Sequence, residues 1–184
     1  LKKLYESNKD YIIGIGECGL DYYWLNSGLE KNEIPKNTVS MSKDFQKDIF
    51  TLQLELAGKL NLPLSVHSRG AEEDCLTVVK NFPGTSGIFH SYGGDYETAK
   101  KVLDSGWGLG VNGIVTFKNA HGMRDLYKKF LGKISSDSSP IDFYKKGIFF
   151  ETDAPFLAPQ IKRGQRNEPA NLRHIYESFV GFLA

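Results

Sequence analysis

The chain has 184 residues, of which 40% are hydrophobic and 24% are charged, and its formal net charge is +1. These values are typical of a soluble globular protein with a sizeable core, and they exclude a global electrostatic field that would attract nucleic acid. Binding to nucleic acid would need a local basic patch. No apolar run approaches the length of a transmembrane helix, so we expect no membrane partner.

Short apolar runs recur along the chain, and most of them are followed by an amphipathic stretch. The predicted strands are residues 11–16, 62–66, 86–90, 107–115 and 147–151. The predicted helices are residues 44–60, 72–82, 96–106, 120–131 and 170–183. This alternation predicts an α/β fold with a parallel sheet and helices outside it. Surface loops are expected at residues 25–42 and 132–145.

The helix predicted at residues 44–60 has a clear apolar period. Its apolar residues recur at steps of three and four, which predicts the buried face. These residues are Phe45, Ile49, Leu52, Leu56 and Leu60.

Three glycines near the first strand, Gly14, Gly16 and Gly19, have the spacing G-x-G-x-x-G. This spacing is typical of a dinucleotide-binding turn, which must open directly into a helix. The residues that follow are polar and have no helical period. A carboxylate at Glu17 would also lie beside a pyrophosphate, where N–H donors are needed. We therefore interpret this stretch as a strand that delivers a carboxylate.

Metal-competent side chains follow four of the predicted strands. Glu17 follows the first, His67 the second and His90 the third, and Asp153 lies just beyond the fifth. In parallel α/β folds, sites are built at the carboxyl ends of strands. Two imidazoles and two carboxylates form a ligand set that suits Mg²⁺, Mn²⁺ or Zn²⁺. The pattern predicts a metal site at this edge of the sheet.

Each of these residues alone would also fit a structural role. His67 and His90 could be hydrogen-bonded, partly buried histidines, Glu17 a salt-bridged acid, and Asp153 a turn aspartate. Their shared position after predicted strands is what favours a common site. Cys18 lies beside Glu17, but no His–Asn arrangement supports a reactive thiol, so we expect a packed side chain.

Six stretches of the sequence carry a resemblance to a known family, and they run in order across most of the chain. They are GECGLDYY (16–23), LPLSVHSRGA (62–71), GIFHSYGG (87–94), GLGVNGIVTFKNA (108–120), FFETDAPFL (149–157) and RNEPAN (166–171). The chain resembles the TatD family of metal-dependent deoxyribonucleases, within the amidohydrolase-like TIM barrels.

The resemblance implies a (β/α)₈ barrel and a metal-dependent hydrolase acting on ester bonds. Glu17, His67, His90 and Asp153 are then metal ligands for two divalent ions, which would be Mg²⁺, Mn²⁺ or Zn²⁺. Glu17 bridges the two ions, and Asp153 also takes the proton of the attacking water, so these two residues are the predicted catalytic groups.

The resemblance also has departures. The family opens with a His-x-His strand, and no His-x-His occurs in this sequence. The five predicted strands correspond by resemblance to strands four to eight of the barrel. We therefore expect residues 1–184 to form a single hydrolase domain that is incomplete at its N-terminus and shortened at its C-terminus.

A phosphodiester substrate needs cationic and polar contacts. The candidates are Arg69, two residues beyond His67, together with Arg166 and Asn167, which fit the family pattern. The resemblance implies that the substrate is DNA, cleaved from an end. Tyr22, Tyr23 and Tyr92 could stack on bases, although aromatic residues after strands more often pack in the core or at its rim. No obligate protein partner is indicated.

Two other functions stay open at this stage. The same metal platform serves amide and ester hydrolysis, because the fold does not fix the substrate. The chain could also be an inactive fragment with an incomplete metal site.

The compartment is suggested by the two cysteines, Cys18 and Cys75, which do not make a disulfide framework. A reducing, cytoplasmic location is the simplest expectation.

Overall fold

The computed structural model describes residues 2–26, 42–135 and 138–184. The chain divides into two compact units, Leu1–Phe89 and His90–Ala184. Within each unit, parallel strands alternate with helices, which confirms the predicted α/β class. The prediction of a single domain over residues 1–184 stays a prediction.

The first unit contains three strands that pair in parallel in chain order. Helix α3 packs against β1, and helix α4 packs against β1 and β2. The elements along the chain are α1 (Lys2–Asn8), β1 (Ile15–Asp21), α2 (Tyr23–Asn26), α3 (Lys43–Leu60), β2 (Leu64–Arg69), α4 (Glu72–Lys80) and β3 (Gly87–Phe89).

Helix α3 confirms the helix predicted at residues 44–60, but it buries a different face. The Ser42 side chain accepts a hydrogen bond from the Phe45 amide at 3.2 Å and caps its first turn. The buried side chains are Phe50, Leu54 and Ala57, whereas the predicted stripe is largely exposed, with Leu52 at 59%. Both stripes have helical spacing, so periodicity alone could not tell which one faces the sheet.

The first strand begins later than predicted. Residues 11–16 were expected to be a strand, yet Tyr11 and Ile13 are each 86% exposed. Within this segment, the Ile15 amide donates to the carbonyl of Pro63, directly before β2, at 2.9 Å. Strand β1 then continues to Asp21. Glu17 therefore lies inside the strand and not at its end.

The glycines of the G-x-G-x-x-G pattern allow a close approach of β1 to β2. A Cβ on Gly16 would lie 2.8 Å from the Ser65 Cβ, and a Cβ on Gly19 would lie 2.0 Å from the His67 carbonyl oxygen. Gly19 also has a φ of 145°, which is strained for any L-residue. The pattern therefore serves strand packing, in agreement with the rejection of a dinucleotide turn.

The second unit contains a parallel pair of strands and four α-helices among its described residues. The elements are α5 (Tyr96–Asp104), β4 (Gly108–Val111), α6 (His121–Leu131), α7 (Pro140–Tyr144), β5 (Ile148–Phe150) and α8 (Leu172–Leu183). Three edge-to-face aromatic rings bring α7, β5 and α8 together. The ring centroids of Phe143, Phe150 and Phe179 lie 5.2–5.5 Å apart.

Several predicted boundaries in the second unit were wrong. Residues 107–115 were predicted to be one strand, but β4 ends at Val111 and Gly113–Thr116 form a 3-10 turn. The Asn112 side chain accepts a hydrogen bond from the Ile114 amide at 3.0 Å and starts that turn. The predicted loop at 132–145 contains α7. The other predicted loop, 25–42, lies mostly outside the described residues.

Helix α3 is the longest described helix, yet neither it nor any other in the described ranges is both long and apolar enough to cross a membrane.

The close approach at Gly19 gives a first prediction. Replacing Gly19 with alanine should lower the free energy of unfolding by about 3 kcal/mol, because the new methyl group meets backbone and the residue has positive φ. The measurement is urea-induced unfolding followed by circular dichroism. Gly181→Ala is the control, because that position in α8 has open space around it. It should be neutral or slightly stabilising. Equal stability of the two variants would contradict this packing.

Candidate metal centre

The pairing of β1 with β2 places His67 between two carboxylates. Gly19 lies opposite His67 in the register, and Glu17 and Asp21 lie two residues to either side of Gly19, on the same face of β1. His67 Nδ1 is 2.6 Å from Glu17 Oε1, and His67 Nε2 is 3.5 Å from Asp21 Oδ2. Both ring nitrogens therefore face an acidic group.

A β-bulge brings Glu17 into this arrangement. The register pairs Ile15 with Leu64 and Cys18 with Val66, so β1 contains one residue more than β2 over this interval. Bulges of this kind redirect side chains, and they are common beside functional sites. Cys18, directly after the bulge, is buried, while Glu17, within it, is exposed. The carboxylate is thereby presented to His67 and to solvent.

Asp21 is held by both its backbone and its side chain. Its amide donates to Gln46 Oε1 at 2.8 Å, and Gln46 Nε2 donates to its carbonyl at 3.0 Å. Its Oδ1 accepts from the Tyr23 amide at 2.8 Å, at the start of α2. The second oxygen, Oδ2, is then directed at His67. Helix α3 therefore fixes the carboxylate beside the imidazole.

His90 directly follows Phe89, the last residue of β3, and its side chain is buried. Its Nδ1 lies 3.6 Å from Glu151 Oε2, while Glu151 Oε1 accepts a hydrogen bond from the Ser91 amide. A Cβ on Gly110 would lie 2.5 Å from Glu151 Oε1. The absence of a side chain at Gly110 thus makes room for the carboxylate that holds the turn after His90.

Three of the four predicted metal ligands come together. Glu17, His67 and His90 each offer a ligand atom, and these atoms lie within 4.8 Å of one another. They extend from three neighbouring strands: β1, β2 and the end of β3. Donors bound to one divalent ion at 2.0–2.3 Å are roughly 3–4.6 Å apart, so the spacing fits an ion after small side-chain adjustments.

The donor chemistry fits a divalent cation as well. Two imidazole nitrogens and one carboxylate oxygen form a hard-to-borderline set. The Glu17–His67 distance of 2.6 Å is that of a hydrogen bond, and it would lengthen if both atoms bound the same ion. Two further carboxylates contact the imidazoles: Asp21 lies 3.5 Å from His67, and Glu151 lies 3.6 Å from His90. This is the arrangement by which outer residues orient histidine ligands.

Asp153 begins a turn in the second unit, three residues beyond the end of β5. Its φ is 57°, in the left-handed region that aspartate tolerates better than most residues. Its carbonyl accepts a hydrogen bond from the Phe156 amide at 2.8 Å, and the Ala154–Pro155 peptide is cis. The side chain is half-buried. Its participation in a metal site stays a prediction.

The predicted substrate-binding arginines are both exposed. The Arg69 guanidinium stacks on the Tyr23 ring, 3.7 Å from the centroid. Arg166 lines an open pocket of about 510 Å³ beside the Asp153 turn. Tyr22 and Tyr92 are only 3% and 1% exposed, so they pack inside the protein, which is the alternative to base stacking, whereas Tyr23 is 46% exposed.

The expected role of Asn167 needs correction. Asn167 is 2% exposed. Its Nδ2 donates to the carbonyls of Thr152 and Phe156, at 2.6 Å each. Its Oδ1 accepts from the Glu168 amide at 3.0 Å and from Asn171 Nδ2 at 2.9 Å. The amide is fully used within the protein, so it has no group left for a substrate.

Comparison with known proteins now identifies the family. The family model described as TatD related DNase matches residues 1–182. The chain belongs to the TatD family. This confirms the resemblance that the six sequence stretches carry, and with it the expectation of a metal-dependent hydrolase family.

Two curated relatives illustrate the range of the TatD family. The chain is 34% identical over 176 residues to YabD of Bacillus subtilis, named as an uncharacterized metal-dependent hydrolase; the match covers 95% of this chain and 58% of YabD. It is 36% identical over 187 residues to a TATDN1 homolog of Enterocytozoon bieneusi, named as a proposed deoxyribonuclease. This match covers 96% of this chain and 56% of the relative. The chain thus spans little more than half the length of these relatives.

Solved structures support the fold. The crystal structure of YjjV, a TatD homolog from Escherichia coli, aligns with a TM-score of 0.72 and 22% identity over 98% of this chain and 61% of that one. A TatD-family hydrolase from Entamoeba histolytica aligns with a TM-score of 0.70 and 22% identity, with 98% and 60% covered. The predicted TIM-barrel fold class is therefore confirmed.

The sequence did not reveal Asp21 and Glu151 as site residues. The signal for Asp21 was its place four residues after Glu17, which puts both on one face of a strand. The signal for Glu151 was its position two residues before Asp153. Both were overlooked because carboxylates near strand ends are common, and only the structure shows an imidazole beside each.

The two cysteines are buried, as expected for packed side chains. Burial, and then the nearby Glu17 charge, raises the pKa of Cys18 to about 12. Burial likewise raises the pKa of Cys75 to about 12. The thiolate is the reactive form of cysteine, so both side chains are protected near neutral pH.

Alkylation tests this protection. At pH 8, iodoacetamide should modify Cys18 and Cys75 of the native protein at least about 10²-fold more slowly than in urea, because a pKa near 12 leaves very little thiolate. Mass spectrometry of tryptic peptides gives both rates. Comparable rates in the native and unfolded states would show that either thiol is accessible and ionised.

Proposed function

We propose that the protein is a metal-dependent deoxyribonuclease that hydrolyses DNA phosphodiester bonds from an end. The observation that carries the proposal is the convergence of ligand atoms from Glu17, His67 and His90. Membership of the TatD family supports it, because relatives in that family are named as metal-dependent hydrolases.

In this proposal, Glu17, His67 and His90 hold a divalent ion, with Mg²⁺, Mn²⁺ and Zn²⁺ as the candidates. Asp153 would be a further ligand if two divalent ions are bound. Such ions, when bound, lower the pKa of water and stabilise negative charge on a phosphoryl oxygen. Asp21 and Glu151, which contact His67 and His90, would hold the two imidazoles in orientation for an ion.

The proposed chemical role of Asp153 is to accept the proton of the attacking water. A general base must lie within hydrogen-bond reach of the proton that it removes. The half-buried carboxylate projects from a turn whose backbone is hydrogen-bonded at Thr152 and Phe156. This fixed attachment is what the role requires, because a mobile carboxylate would spend little time in the reactive geometry.

Arginine side chains are the proposed contacts to the phosphate backbone. Arg166 lines the pocket next to the Asp153 turn, and a guanidinium can bind phosphate through two parallel hydrogen bonds. The Arg69 guanidinium lies 3.7 Å from the centroid of the Tyr23 ring, and it is the second proposed contact to phosphate oxygens. An amide or carboxyl ester substrate would not need these cations. The relative from Enterocytozoon bieneusi, named as a proposed deoxyribonuclease, supports the same choice.

Substitution of Asp153 tests the mechanism. In the protein that carries this sequence, Asp153→Asn should lower the rate of DNA hydrolysis by at least about 10²-fold, because the variant cannot accept a proton. The measurement is release of nucleotides from a 5′- or 3′-labelled single strand with added Mg²⁺ or Mn²⁺.

Asp104→Asn is a matched control, because Asp104 is an exposed aspartate of α5 paired with Lys100. It should retain full activity. Removal of divalent ions with EDTA should abolish hydrolysis by the parent protein. Cleavage of carboxyl esters without cleavage of DNA would contradict the proposed substrate, and full activity of Asp153→Asn would remove this residue from the mechanism.

Substitution of Arg166 tests substrate binding. Arg166→Ala should weaken binding of a single-stranded oligonucleotide and reduce the slope of log affinity against log salt by about 0.7, the value for one lost phosphate contact. Fluorescence anisotropy at several salt concentrations, in the Asp153→Asn background, gives both quantities. Arg173→Ala is the control, because that exposed arginine pairs with Glu177 on α8. An unchanged slope in Arg166→Ala would exclude a phosphate contact there.

A further inference from the structure

We propose that Asn167 is a positioning residue that fixes the turn carrying Asp153. This inference deepens the proposed function and depends on it, since it assigns a residue that acts through the proposed general base. Asn167 itself does not touch the substrate in this scheme.

The Asn167 side chain spans the Asp153 turn from one side to the other. Its Nδ2 donates to the carbonyl of Thr152, directly before Asp153, and to the carbonyl of Phe156, three residues after it. The backbone N–H of Asn167 also donates to the Pro155 carbonyl at 3.0 Å. Three backbone carbonyls that flank Asp153 are thus hydrogen-bonded to one residue.

The orientation of the Asn167 side-chain amide is fixed by the hydrogen bonds that its oxygen accepts. Oδ1 accepts from the Glu168 amide and from Nδ2 of Asn171. Asn171 is 4% exposed and immediately precedes α8. Both donors and both acceptor positions of the Asn167 side chain are therefore used, and rotation of the amide by half a turn would place like groups against each other. Such a saturated buried amide holds a single conformation.

The Asp153 turn needs an external constraint. Asp153 and Leu157 have φ values of 57° and 52°, and non-glycine residues adopt this region only when the surrounding structure imposes it. The hydrogen bonds within the turn, such as Phe156 amide to Asp153 carbonyl, cover only part of it. The amide of Asn167 supplies contacts from a segment that lies beyond the turn, and it thereby ties Asp153 to the start of α8.

The kinetic consequence distinguishes this role from substrate binding. A base displaced by about 1 Å can lose up to about 10²-fold in rate without any loss of substrate affinity. A lost substrate contact would instead raise KM. A positioning role therefore predicts a lower kcat with unchanged KM, and a substrate-binding role predicts the reverse.

The test uses Asn167→Asp in the protein that carries this sequence. Aspartate has the same shape, but it cannot donate to the two carbonyls. We expect kcat for a single-stranded oligonucleotide to fall by about 10- to 10²-fold, with KM within about twofold of the parent value. Hydrogen exchange at the Phe156 amide should accelerate by at least about tenfold, because its turn is no longer held.

Asp95→Ala controls for a general loss of stability. Asp95 caps α5 in the same unit through Thr98 and makes no contact with the Asp153 turn in these hydrogen bonds. Each protein is assayed at the same interval below its own Tm. Asp95→Ala should keep the parent kcat and the parent exchange rate at Phe156. A milder variant, Asn171→Ala, removes the hydrogen bond that Asn171 Nδ2 donates to Asn167 Oδ1. It should lower kcat and accelerate exchange at Phe156 by smaller factors than Asn167→Asp.

Three results would overturn the inference. One is a raised KM with unchanged kcat in Asn167→Asp. Another is a loss of kcat equal to that of Asp95→Ala. The third is unchanged exchange at Phe156. If Asn167→Asp does not fold, Asn171→Ala decides by the same criteria. If the parent protein cleaves no DNA, the proposed function fails, and the exchange rate at Phe156 alone decides whether Asn167 holds the turn.

Discussion

The close contact between β1 and β2 at Gly19 is the constraint on which the first half of the site depends. A side chain at this position would meet the His67 carbonyl at 2.0 Å. Because glycine lets the strands approach, the imidazole opposite it lies between Glu17 and Asp21. The bulge before Cys18 then turns Glu17 toward the same ring. The close packing of the two backbones therefore determines where the ligand atoms of Glu17 and His67 lie.

In three places near predicted site residues, a polar side chain bonds to backbone. Gln46 holds Asp21, Glu151 holds the turn after His90, and Asn167 holds the turn that carries Asp153. These places share a physical problem, because strand pairing ends there and backbone groups lose their partners. Side-chain amides and carboxylates supply the hydrogen bonds that a paired strand would otherwise make to these backbone groups. The same bonds that satisfy the backbone also fix the positions from which the proposed site residues extend.

Sequence patterns were sufficient for the α/β class and for the grouping of Glu17, His67 and His90. The predicted strand ends were wrong, because Glu17 and His67 lie within β1 and β2; the pairing of adjacent parallel strands is what brings their side chains together. Sequence patterns were insufficient wherever two patterns compete. Helix α3 has two apolar stripes of equal period, and the structure shows that the stripe with Phe50, Leu54 and Ala57 is the buried one. Asn167 looks like a substrate ligand in sequence, since a motif records that a residue type is present without showing what its hydrogen bonds reach.

The charges around the imidazoles suggest why substrate binding would depend on metal. Glu17 and Asp21 place two carboxylates around His67, and Glu151 places another beside His90. A phosphate that approached these acids directly would be repelled, and the net charge of +1 is too small to compensate. In the proposed function, bound divalent charge would offset the negative charge of these carboxylates, and arginines would supply the remaining contacts to phosphate. Metal binding and DNA binding would then be thermodynamically coupled, and each would raise the affinity for the other by the same factor.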